Sequence, residues 1–96
     1  MSLFVVKHQH SAETCPAGDP QMGPMLLQHL SRPNATKFGV DIRSEAVVDG
    51  EHTLYLVAEA DGQEALESFM APFAQAGSVE VLPASPCEAV VARAAC

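Results

Sequence analysis

The sequence predicts an α+β domain of order β-α-β-β-α-β with a short C-terminal helix. Three observations carry that expectation: strand-type apolar runs recur at four places, two segments between them have helical spacing, and Asp49-Gly50 joins the middle two strands as a tight hairpin. The chain has 96 residues, 48% of them hydrophobic and 18% charged, which is the size and composition of one globular domain spanning 1–96.

Leu3-Phe4-Val5-Val6, continued with period two by Lys7-His8-Gln9-His10, gives a first strand over about residues 2–10. Ser11 to Pro20, with its CPAGDP segment, has the Ser, Thr, Gly, Asp and Pro chemistry of a loop. Asp19 before Pro20 resembles a helix cap, but Gly23 and Pro24 stand in the next turn, so the first helix is expected to begin at Pro24. Its body runs from Met25 to Leu30, and Pro33 ends it. Alternation from Phe38 gives a strand over about 39–48, and Thr53–Ala60, apolar on both alternating sets, reads as a central strand. After Asp61-Gly62, the spacing of Ala65, Leu66, Phe69, Met70, Phe73 and Ala74 predicts a helix over about 63–75, weakened near its end by Pro72. Ser78–Leu82 alternates as a last strand before Pro83. Ser85-Pro86-Cys87-Glu88 has the form of a capping box, placing a terminal helix over about 89–95.

This order is that of the ferredoxin-like split βαβ arrangement: a four-stranded antiparallel sheet, two main helices on one face, and the other face left open. In a chain this apolar, a second copy is expected to cover the open face, making a homodimer. The stretch GVDIRSEAVVDGEHTLYLVAEADGQEALESFMAPF, within roughly Gly39 to Leu82, resembles the small dimeric α/β-barrel proteins. The nearest likeness is to short single-domain members of poorly defined function that include nickel-binding ones. Such barrels also include cofactor-free monooxygenases and haem-degrading enzymes, so the resemblance implies a small-molecule enzyme as a rival reading. It supplies no ligand positions, because the CPAGDP loop and the Cys-containing tail depart from it.

A formal charge of -7, with Lys7, Arg32, Lys37, Arg43 and Arg93 scattered along the chain, argues against nucleic acid and anionic membrane as partners. No apolar run approaches the roughly 20 residues that span a bilayer, and a cytoplasmic location is expected. Three cysteines cannot complete a disulfide framework within one subunit.

His8 and His10, two apart on one strand, share a face, and Cys15 follows five residues later. Imidazole nitrogen with thiolate sulfur suits a transition metal: nickel, zinc, copper or iron. The same histidines also read as solvated groups at a fraying strand end. Cys87 and Cys96, about 13 Å apart along an intact helix, cannot pair with each other. A tail doubling back from the last strand would bring Cys96 toward His8, His10 and Cys15, completing a two-nitrogen, two-sulfur site. The same approach permits a Cys15–Cys96 disulfide or a redox switch. Met22, Met25 and His29 fall on one helix face, as core filler or as a Cu(I) set. His52, in the hairpin turn, is expected to be solvated. The function expected from these residues is metal binding, storage or sensing through His8, His10, Cys15 and Cys96. The alternatives are a small-molecule enzyme with a pocket lined by Glu59, Tyr55 and the histidines, and a structural or redox-responsive dimer.

Overall fold

The computed structural model describes every residue from Met1 to Cys96. Four strands, β1 (Ser2–His10), β2 (Val40–Val48), β3 (Thr53–Ala60) and β4 (Gly77–Ala84), form one antiparallel sheet in the order β2-β3-β1-β4. Five short helices accompany it: α1 (Met22–His29), α2 (Arg32–Lys37), α3 (Gln63–Phe69), α4 (Ala71–Ala74) and α5 (Cys87–Arg93). β1 and β3 occupy the centre, and their alternation sends Phe4, Val6, Leu54, Leu56, Ala58 and Ala60 to one face. There they join Leu26 and Ala35 of the first helical segment and Leu66, Phe69, Met70 and Phe73 of the second in a single core. Val6, Leu56, Leu66, Phe69 and Met70 are wholly inaccessible.

Each segment expected to hold one helix holds two, and proline sets the break in both. α1 begins at Met22 rather than Pro24, because the Asp19 carboxylate accepts the amides of Gln21 and Met22 at 2.8 and 2.9 Å. Gly23 and Pro24 fall in the first turn, where the amide that proline lacks has no intrahelical partner to lose. Pro33 does not end the helical region but starts α2, after Ser31 has turned extended at ψ 148. Pro72 separates α3 from α4, as its missing amide requires, with Met70 bridging the two at ψ 2.

β4 runs past its expected end through Pro83, which an edge strand tolerates because one side of its ladder is unpaired. α5 starts at Cys87, earlier than expected, and its capping box does not form: Pro86 is the cap, and the Ser85 hydroxyl accepts from Arg93 at 3.1 Å instead. None of its residues is buried, and no other element packs extensively against it.

β2 carries an irregularity that matters for the site. Between Ile42 and Ser44 its register against β3 slips by one residue at Arg43. Ile42 lies opposite Ala58, yet beyond the bulge Glu45 and Val47 lie opposite Leu56 and Leu54. The inserted residue therefore turns Glu45 and Val47, instead of Ser44 and Ala46, toward the helical side. The other face of the sheet carries Val5, Tyr55, Val57 and Leu82, with Arg43 bonded to Glu59 at 3.1 Å and no helix across it.

Candidate functional site

At one end of the sheet three segments converge. Antiparallel pairing sets the end of β1 against the start of β3, so the His10 amide donates to the His52 carbonyl at 3.1 Å. His52 leaves the hairpin with φ 50, in the left-handed region, and its ring meets that of His10 edge-on at a centroid distance of 5.2 Å. Beyond His10 a single 3-10 turn, Ala12–Thr14, reverses the chain. Thr14 pins that turn to the start of β4, its hydroxyl donating to the Ala76 carbonyl at 3.0 Å. Cys15 follows at once, and Gly23 of α1 lies close against the Pro16 carbonyl, where a Cβ would approach to 3.1 Å. One donor atom each from His10, Cys15 and His52 then lies within 4.8 Å of the others.

His8 stands behind this group. It is 2% exposed, and its Nδ1–H donates to the Ser78 carbonyl at 3.0 Å. That bond leaves Nε2 of the neutral ring as an acceptor for Nδ1–H of His10 at 3.3 Å. The chain of bonds fixes the tautomer of His10 and leaves its Nε2 with a free lone pair, and this atom is buried with no protein partner. Burial holds His8 below the usual histidine range, the Ser78 carbonyl opposing and His10 adding to the effect. Burial also lowers His10, with neighbouring His52 contributing. Both shifts favour the neutral ring, the form in which an imidazole ligates a metal. A metal-ligating histidine is oriented by donating its other ring N–H to a fixed acceptor, and here the His8 Nε2 stands in the place a carboxylate or carbonyl usually takes.

The group opens onto a cavity of about 750 Å³ between α1 and the β2–β3 hairpin. His8, His10, Cys15 and His52 line it together with Leu26, Leu30, Val47, Leu54 and Phe73, and Glu45 and Asp49 are exposed carboxylates on its border. The bulge in β2 is what brings Glu45 and Val47 to this side.

Of the residues expected from the sequence, His8 and His10 share a face and Cys15 joins them, with His8 one hydrogen bond behind the group rather than in it. Cys96 is exposed at the end of the tail and Cys87 is exposed at the start of α5; neither belongs to the group, and all three thiols are free. His52, expected to be solvated, takes the remaining place. The signal for it was the strand register: in an antiparallel pair centred on Val5 and Val57, continuation past Gln9 and Thr53 sets His10 against His52.

The Met22, Met25 and His29 set does not form. Both methionines are exposed, while His29 donates from Nε2 to the Phe69 carbonyl at 2.6 Å and accepts at Nδ1 from Asn34 at 3.1 Å. Its ring stacks on Phe69 at 4.6 Å, so it is a clasp between the two helical segments. Glu59 and Tyr55 lie on the opposite face of the sheet from the histidines and line no pocket with them.

No helix is long and apolar enough to cross a membrane. No curated protein matches the chain, and no solved structure does. One family does match, over residues 3–95, and so includes every element that builds the group and its cavity. On that extent the chain belongs to the family described as Domain of unknown function (DUF3303).

Proposed function

We propose that this chain is a transition-metal-binding domain in which His10, Cys15 and His52 hold one ion, for binding, storage or sensing. The observation that carries the reading is the buried, unpartnered Nε2 of His10, tautomer-fixed by His8, in a group whose donors lie within 4.8 Å of one another. Two nitrogens and one sulfur suit zinc first, with nickel, copper and iron following on the same donor set. Three protein ligands leave a tetrahedral ion one position, which the cavity serves. Three free thiols suit a reducing, cytoplasmic compartment.

The reading includes a ferredoxin-like homodimer. Its support is the strand order β2-β3-β1-β4 with all core-forming helices on one side, and the Val5, Tyr55, Val57 and Leu82 face left without a helical cover. Only in this respect does the likeness to small dimeric α/β-barrel proteins enter.

Native mass spectrometry with elemental analysis tests both parts. A dimer with about one zinc, nickel, copper or iron per chain, lost in Cys15→Ser and His52→Ala and kept in Cys96→Ser, is the expected result. A metal-free chain after incubation with these ions ends the metal reading, and a monomer at micromolar concentration ends the dimer.

A further inference from the structure

We propose that the cavity beside the His10–Cys15–His52 group binds an amphiphilic small molecule, its aliphatic chain between α1 and the β2–β3 hairpin and an oxygen-donor head on the metal. The inference rests on the metal reading and adds to it the class of ligand. About 750 Å³ falls in the range of roughly 300–1,000 Å³ typical of small-molecule sites. The lining is asymmetric. Its nitrogen and sulfur donors gather where the end of β1 meets the Cys15 loop, while Leu26, Leu27, Leu30, Val47 and Leu54 supply aliphatic walls.

Phe73 is the one aromatic residue on those walls apart from the histidines, and its ring is already engaged edge-on by His8 at 5.3 Å. The lining thus offers little stacking surface for a flat ring system and much dispersion surface for a flexible chain. A divalent ion held by one thiolate keeps a net positive charge, which favours an anionic oxygen donor in the remaining position. Exposed Glu45 and Asp49 on the border oppose a second negative group. The ligand is therefore monoanionic, with the charge at one end.

The probes are acetohydroxamate and octanohydroxamate, titrated calorimetrically into the zinc-loaded full-length chain, with zinc retention measured by chelator competition. Each fully buried methylene is worth roughly a four-fold gain in affinity, so six of them, after the loss of chain freedom, separate the two probes by at least about 100-fold. Val47→Trp and, independently, Leu27→Trp fill the cavity from positions that are 59% and 70% exposed, so the fold is expected to accept them. Each variant should bring the two probes within about three-fold of one another while leaving zinc affinity unchanged. Equal affinity of the two probes for the zinc-loaded wild type overturns the cavity proposal and leaves the metal reading standing. Equal binding of octanohydroxamate with and without zinc overturns the placement of the head. Failure of the wild type to take up zinc overturns the metal reading and this proposal with it.

Discussion

Replacing His8 by Phe separates two roles that the sequence alone does not distinguish. The sequence made His8 a candidate ligand; the geometry sets it one hydrogen bond behind His10, so in the proposed site it orients His10. Phenylalanine keeps an aromatic ring against Phe73, now 5.3 Å away edge-on, but removes both hydrogen bonds, to the Ser78 carbonyl at 3.0 Å and from His10 at 3.3 Å. Each lost bond costs about 0.5–1.5 kcal/mol of stability, so the variant should be destabilised by about 1–3 kcal/mol in urea unfolding. Its metal affinity should fall by about 10- to 100-fold, the usual effect of deleting a partner that orients a ligating histidine and equivalent to about 1.4–2.8 kcal/mol. Chelator competition at pH 7.5 measures this directly, with His10→Phe as the reference that removes a ligand outright. An unchanged affinity in His8→Phe would refute the orienting role. A loss as complete as that of His10→Phe would return His8 to the coordination sphere.

Leu56→Ala should destabilise the chain by about 2–5 kcal/mol, since the side chain is wholly inaccessible on a central strand, and a change below about 1 kcal/mol would contradict the packing. Gly77→Ala places a Cβ against the Gln9 carbonyl and the His10 Cα, so β4 must shift away from β1; a loss of about 2 kcal/mol or more is expected, and an unaltered urea midpoint would show that the strands do not meet there as described. The metal-free protein should lose stability as pH falls below about 6.5. His8 and His10 are held under that ordinary value when folded, so the unfolded chain binds more protons in this window; their contribution is complete above it and declines as pH drops toward the folded values. Thermal unfolding between pH 5 and 8 measures the slope, and a His8→Phe variant with an undiminished slope would assign it elsewhere.

The strands were legible because their signals are local. Residues 2–10 and 53–60 alternate or run apolar between clear breakers, and they fold as β1 and β3 with those bounds. The helices were legible in place but not in number. Whether a proline ends a helix, as Pro33 was expected to, or starts the next depends on whether the preceding backbone can turn extended and the following segment has a surface to bury, which for α2 is Ala35. The tail was least legible: α5 buries nothing, so no packing requirement tied its path to the pattern of its residues.

The site was half legible for the same physical reason. The His8 and His10 pair is a period-two statement about one strand, and Cys15 is close in sequence, so both followed from short-range spacing. The roles within the group are long-range. His52 enters through pairing across 42 residues of chain, His8 withdraws behind His10 because a carbonyl 70 residues away claims its Nδ1–H, and Glu45 reaches the cavity only because the bulge at Arg43 inverts the parity of β2. That inversion also sets which β2 side chains line the cavity. With unbroken alternation, Ser44 and Ala46 would face the helical side, and Glu45 and Val47 would leave the lining of the cavity. With the bulge, Val47 joins Leu54 and His8 in the lining, across from α1, whose Gly23 lies close against the Pro16 carbonyl of the Cys15 loop. Deleting Arg43 should join Ile42, opposite Ala58, directly to Ser44, opposite Val57; Glu45 and Val47, still opposite Leu56 and Leu54, then keep the helical side, and the chain-length preference of the cavity should be retained. Because His10, Cys15 and His52 sit outside β2, zinc binding should survive the deletion, and a deletion variant that lost zinc while remaining folded would show that β2 supports the metal group itself.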